Sequence, residues 1–170
     1  MTPANADPRV AVLMGSDSDL PTVKHCLDAL KEFGIPFEAH VMSAHRSPER
    51  TRAFALRAEE RGIRVLICAA GGAAHLAGAV AAITTLPVIG IPIGGGALNG
   101  VDALYATVQM PPGIPVATVA IGDMGAKNAA ILAVEMLSLA DLDLREKLRA
   151  YRAKLDKAVA EKDAKLQASL

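Results

Sequence analysis

Three short stretches carry the residue types that could do chemistry. The first is "VMSAHRSPER" (41–50), in which His45 and Arg46 stand directly before Ser47-Pro48-Glu49. Ser at a cap, Pro at the first helical position and Glu in the first turn predict a helix start. A full cation beside that partly positive terminus is unfavourable by about 0.3–1 kcal/mol unless an anion sits there. Arg forks onto phosphate with good geometry. Imidazole titrates near neutral pH, which makes His45 a candidate proton carrier beside the anion. The second stretch, "GSDSDLP" (15–21), piles Ser16, Ser18 and Asp19 ahead of Pro21. Ser18 or Asp19 can cap the next helix. Hydroxyls and backbone amides at such a point also suit a phosphate, and a carboxylate suits ribose hydroxyls. The third, "AAGGAAHLAG" (69–78), sets Gly71, Gly72, Ala73 and Ala74 before His75. His75 can cap its helix or bond to backbone.

Other chemistries fit less well. Neither "GGAAHLAG" nor "GGGALNG" (94–100) has the G-x-G-x-x-G spacing of a dinucleotide loop, and no G-x-x-x-x-G-K-[ST] loop occurs. The four histidines show no H-x-x-x-H pattern, so no metal site is expected; His25 and His40 are assigned to structure. The chain has no Trp, two Tyr and three Phe, none of them in the three loops, which argues against a stacked flavin. Cys26 and Cys68 lie in apolar contexts and read as buried free thiols of a cytoplasmic protein. Lys plus Arg and Asp plus Glu each count 18, leaving no electrostatic footprint for nucleic acid or an anionic membrane.

The elements that must position these loops alternate in type. Apolar runs at 9–15, 37–43, 64–72, 87–93 and 115–122 read as strands. Helical patterns follow at 20–33, 48–61, 75–83, 101–108 and 126–139. Strands apolar on both faces predict a parallel sheet covered on both sides, a flavodoxin-like, doubly wound α/β/α sandwich of about five strands. In such a sheet, ligands bind at the carboxyl ends of the strands, where all three loops fall. The chain reads as a single domain with a flexible start at 1–8. From Val65 to Gly122 the only formal charge is Asp102. Pro87, Pro92, Gly78 and Gly90 break that run, so it reads as buried strands and small-residue helices rather than a membrane span. Its uncharged surface calls for cover by other copies of the chain. Leu144, Leu148, Tyr151, Leu155 and Val159 step by four, three, four and four, one apolar stripe on a long helix over 141–168. With no further strand to cover, that helix is expected on a neighbouring subunit. These readings together describe a cofactor-free oligomeric enzyme acting on a small phosphorylated ligand.

Five blocks in order carry a family resemblance: "MGSDSD", "SAHRSPE", "AGGAAHLAG", "GVDALYATVQMPPGIPV" and "NAAILA". Over about 9–139 the chain resembles the class I N5-carboxyaminoimidazole ribonucleotide mutases, the PurE family of purine synthesis. The resemblance implies a flavodoxin-like fold, a homo-octamer, and a carboxyl shift from an exocyclic nitrogen to an imidazole ring carbon without metal, ATP or organic cofactor. It implies His45 as proton shuttle, Ser16 and Ser18 at the phosphate and ribose, Asp19 on the ribose hydroxyls, and Arg46 on the phosphate. Ser43 would join the substrate site, and Gly71, Gly72, Ala73, Ala74 and His75 would enclose CO2 through backbone amides. Ala77, Pro112 and Ala117 depart from the family's common Pro, Arg and Gly, away from those residues. A related class, which carboxylates aminoimidazole ribonucleotide directly with CO2, typically shows Lys in place of Arg46 and another sequence in place of "GGAAH". A third reading is a nucleotide-sensing module without turnover, which leaves His45 unexplained.

Overall fold

The computed structural model describes residues 7–170, so the expectation for the N-terminal segment falls outside the described residues at 1–6. The chain forms two compact units, one running to Ala133 and one from Val134 to Leu170.

The first unit is built on a five-stranded, all-parallel sheet of order β2-β1-β3-β4-β5. Its strands are β1 (Val10–Met14), β2 (Phe37–Val41), β3 (Val65–Gly71), β4 (Val88–Ile93) and β5 (Ala117–Thr118). Between them run α1 (Leu20–Phe33), α2 (Pro48–Arg57), α3 (Leu76–Ala81) and α4 (Val101–Val108), and α5 (Gly122–Ser138) follows. β1 leads outward to β2 on one side, and every later strand adds on the other. Right-handed crossovers therefore put α1 on one face and α2, α3 and α4 on the opposite one. Ala11, Leu13, Leu66 and Cys68 pack in one cluster with Ala55 of α2 and with Leu76, Ala77 and Val80 of α3. Val10, Val12, Val65 and Ile67, of alternate parity, are equally buried on the other face. This is the three-layer, flavodoxin-like arrangement, and its chain direction reverses between β1 and β3.

Element ends follow local chemistry. α1 starts with Pro21 in its first turn and ends at Gly34 (φ 72°), whose N–H reaches the Leu30 and Lys31 carbonyls. α2 stops at Arg57, four residues short of the expected end. An Ala58 N–H to Ala55 carbonyl bond (3.4 Å) and the positive φ of Gly62 turn the chain so that Ile63 enters the core. β5 is reduced to two paired residues, Ala117 and Thr118, which lie opposite Ile89 and Gly90.

Gly90 is fixed by close approach. A Cβ there would lie 2.3 Å from Thr107 Cγ2 and 3.0 Å from Val116 Cγ1. Thr107 cannot swing aside without losing the bond from its Oγ1 to the Ala103 carbonyl (2.7 Å). Gly90→Ala is therefore expected to destabilise the protein by about 1–3 kcal/mol, read as a lowered denaturant midpoint with unchanged slope.

The second unit continues from the end of α5 into α6 (Leu142–Gln167). Asp141 caps α6, its side chain accepting from the Leu144 N–H. Arg152 pairs with Glu135 at 2.9 Å. Of the apolar stripe, Leu144 and Leu148 are buried while Leu155 and Val159 are exposed. Among the described residues, no helix is long and apolar enough to cross a membrane.

Candidate active site

At the reversal point the loops after β1, β2 and β3 surround a cavity of about 420 Å³. That is within the range of small-ligand sites.

Gly15 extends β1 by donating its N–H to the Ala69 carbonyl (3.0 Å). Ser16 then turns extended and caps a 3-10 turn at Asp17–Asp19. The cap is reciprocal. Ser16 Oγ accepts from the Ser18 N–H, and Asp19 Oδ2 accepts from the Ser16 N–H at 3.1 Å. The capping expected of Ser18 or Asp19 at α1 is thus realised one turn earlier, by Ser16 with Asp19. Ser18 Oγ donates to Ser16 Oγ (2.8 Å), and Ser16 Oγ donates to Asp17 Oδ1 (3.2 Å). Ser16 and Asp19 face the cavity; Ser18 reaches it through Ser16.

The second loop corrects the sequence reading at Ser47. Ser47 occupies the cap position of α2 but makes no side-chain cap bond. Its hydroxyl instead donates to the Ser43 carbonyl (3.0 Å) and accepts from the Ser43 N–H (3.1 Å). Ser47 N–H also donates to the Ser43 carbonyl (2.9 Å). Closing the turn this way engages a backbone donor and a carbonyl that would otherwise lose partners, and it holds His45 and Arg46 out at the tip. Arg46 Nη2 donates to the Gly15 carbonyl (2.6 Å), and its backbone N–H donates to Ser43 Oγ (3.2 Å). A guanidinium carries five N–H donors, so most of the fork stays available to an anion.

The third loop brings Gly71 and Ala73 to the cavity, with Ala70 and Leu76 beside them. Gly72 adopts φ 58°, and Ala74 is buried beneath the loop. The Ala74 and His75 amides donate to the Gly72 and Ala73 carbonyls (2.8 Å each), so they point into their own loop. His75 precedes α3 without a side-chain cap bond. Its Nδ1 lies 2.9 Å from His45 Nε2, with the two rings edge-to-face at 88°.

Of the sequence-derived candidates, Ser16, Asp19, Ser43, His45, Arg46, Gly71 and Ala73 line one cavity; Ser18, Gly72, Ala74 and His75 support it from outside. Sequence reasoning missed the Gly15 carbonyl, Ala44, Ala70 and Leu76. Only Gly15 left a signal, as a glycine ending a strand. His25 sits 3.5 Å from Asp123, and His40 packs edge-on against Phe54, both outside the site. Cys26 and Cys68 are buried free thiols, each pushed up to about 12 by desolvation. Among the described residues, no group of three or more His, Cys, Asp or Glu could hold a metal ion.

Asp19 is 9% exposed, and burial pushes its carboxyl above the ordinary range. The Ser16 N–H and the Arg46 charge oppose that shift, and Asp17 adds to it. A raised folded-state value means that the folded protein holds this proton to higher pH than the unfolded chain. Stability from this group therefore falls as pH rises from the ordinary carboxylate range through the raised value, and stays lower above it. Asp19→Asn is expected to raise the thermal midpoint at neutral pH, with the gain shrinking as the pH falls back through that window. A gain that grows on acidification would contradict the sign.

The family model for AIR carboxylase matches residues 9–158. This chain belongs to the AIR carboxylase family. Within that family it is 54% identical to the N5-carboxyaminoimidazole ribonucleotide mutase of Pyrococcus horikoshii, over 94% of this chain and 89% of the relative. It is 55% identical to the mutase of the same name from Mycobacterium tuberculosis, over 98% and 95% of the two chains. In three dimensions it is similar to Treponema denticola PurE, with a TM-score of 0.85 and 31% identity over 94% of this chain and 98% of that one. All three loops of the site lie inside the part that matches the AIR carboxylase family model.

Proposed function

We propose that this chain is an N5-carboxyaminoimidazole ribonucleotide mutase, forming 4-carboxy-5-aminoimidazole ribonucleotide in purine synthesis. The observation that carries the reading is the convergence of Arg46, Ser16, Asp19 and His45 on one cavity. It pairs an anion anchor and ribose partners with a proton carrier. Arg46 and the Ser16–Ser18 hydroxyls take the phosphate. Asp19, with one oxygen already on the Ser16 N–H, offers the other to ribose hydroxyls. That places the imidazole base at His45, beside the Gly71–Ala73 loop.

In the first step the carbamate C–N bond breaks and CO2 departs. The electron pair returns to the exocyclic nitrogen, which takes a proton from cationic His45. In the second, the electron-rich ring carbon attacks CO2 and a C–C bond forms. Neutral His45 then removes the ring proton, restoring aromaticity and its own starting state. Ala70, Gly71, Ala73 and Leu76 supply an uncharged pocket that retains CO2 between the steps. A preformed site of this kind leaves the two proton transfers as the work of one group.

The assembly belongs to the same proposal: a homo-octamer, working in the cytoplasm. Leu98, in the turn before α4, and Val101, Tyr105 and Val108 along it are exposed at three- and four-residue spacing. Leu155 and Val159 are exposed on α6. Both are surfaces suited to other copies of the chain. Truncation after Leu139 is expected to lower the sedimentation coefficient by more than the lost mass accounts for. An unchanged assembly state would remove the subunit-packing role of α6.

The deciding assay offers N5-carboxyaminoimidazole ribonucleotide in one arm and aminoimidazole ribonucleotide plus bicarbonate in the other. Turnover in the first arm, at concentrations where the second is silent, is the expected result. Preference for the second arm makes the protein a direct carboxylase. Binding without turnover in either makes it a sensor.

A further inference from the structure

The contact between the two histidines goes further than the loop-closing role given to "GGAAH". We infer that His75 is a positioning residue for His45, fixing its ring orientation and tautomer through the 2.9 Å Nε2···Nδ1 hydrogen bond. The inference rests on His45 being the proton carrier of the proposed reaction.

A nitrogen–nitrogen contact of 2.9 Å needs one bridging proton. Two ring nitrogens that both carry hydrogen cannot approach so closely, and two bare ones have nothing to share. Each ring's tautomer therefore dictates the other's. When His45 is cationic both its nitrogens carry hydrogen. It must then donate from Nε2, and His75 must be neutral with a free lone pair at Nδ1. A neutral imidazole acceptor lets His45 take up and give back its proton while Nε2 stays tethered, which leaves Nδ1 as the atom that meets substrate. The charged groups facing this pair around the cavity are Arg46, at the same loop tip, and Asp19 across the opening.

The geometry also explains why a histidine stands at this place in the third loop. His75 makes no cap bond to α3, and its side chain is exposed, so neither helix capping nor core packing accounts for it. The rings stand at 88° to one another with centroids 4.9 Å apart, and their closest polar atoms are His45 Nε2 and His75 Nδ1. An orienting partner on a proton-carrying imidazole is the arrangement by which a ring is held in one tautomer.

Two variants and two readouts test it. His75→Leu fills similar space but cannot bond to His45. His75→Asn places an amide near the former Nδ1 position and can keep the bond. The expected result is a kcat about 10–100-fold lower in the Leu variant, with KM within about threefold and substantial recovery in the Asn variant. A rise in KM at unchanged kcat, or equal losses in both variants, would overturn the assignment and leave His75 as a loop residue. The second readout needs no turnover. In wild-type protein with 15N-labelled histidine, the His45 ring nitrogens are expected to report one dominant tautomer, replaced by a mixture in His75→Leu. Identical His45 spectra in the two proteins would sink the proposal whatever the substrate proves to be. A wild-type protein inactive toward N5-carboxyaminoimidazole ribonucleotide but showing the tautomer change would instead fault the proposed function and keep the His45–His75 pair. Sedimentation of both variants separates a folding defect from these outcomes, and the Asn variant stands if the Leu variant fails to assemble.

Discussion

Replacing His45 with Asn is expected to leave an assembled protein that binds its substrate and scarcely turns it over. His45 is exposed at the tip of the second loop, and among the described residues its side chain bonds to His75. Losing the imidazole therefore removes little folding energy. Asn can still donate and accept hydrogen bonds, but it cannot carry a proton between two sites of the substrate. The loss should fall on kcat, by about 10²–10⁴-fold, the usual contribution of a positioned general acid–base. Substrate affinity measured calorimetrically should stay within a few-fold. Near-normal kcat in His45→Asn would mean that the proton moves by another route. A large loss of affinity with kcat retained would make His45 a binding group only.

Arg46→Ala should act on the opposite parameter. The guanidinium donates from Nη2 to the Gly15 carbonyl (2.6 Å) and from Nε to Ser43 Oγ (3.5 Å), and Arg46 lines the cavity. Its removal deletes a charge-assisted fork to phosphate while leaving the proton carrier in place. The expected cost is about 2–3 kcal/mol, a rise of roughly 30–150-fold in KM. The same substitution should weaken binding of a dephosphorylated substrate analogue far less. Equal losses for the two compounds would show that Arg46 holds some other part of the ligand. Arg46→Lys should recover only part of the affinity, because an ammonium supplies the charge without the fork.

Much of this protein was legible where a local signal and a tertiary requirement coincide. α1 runs from Leu20 to Phe33 as read, because Pro21 and Gly34 punctuate a pattern whose apolar face has a sheet to cover. The doubly covered parallel sheet was legible from strands apolar on both faces, but its order, β2-β1-β3-β4-β5, was not, because two-sided burial says nothing of which strands are neighbours. Ser47 misled because its cap signature is real, yet its hydroxyl had a nearer pair of partners in the Ser43 backbone. The end of β5 misled because an apolar run predicts burial but not pairing. The His45–His75 contact spans 30 residues, and no spacing rule reaches that far. Ser16, Asp19 and Arg46 were readable as a group because each sits within a few residues of a strand's carboxyl end, where the fold itself gathers them.

The paired bonds between Ser43 and Ser47 have a kinetic consequence. They make the five residues from 43 to 47 a closed ring on the protein surface, shut by one hydroxyl and two amides. In a loop so exposed, amide protons normally exchange with solvent almost freely. Those of Ser43 and Ser47 should instead exchange slowly, at rates set by the opening of the whole ring. His45 and Arg46 ride on that ring together. Any excursion of the loop carries the proposed proton carrier and the proposed phosphate grip as one body, so the distance between His45 and Arg46 survives it.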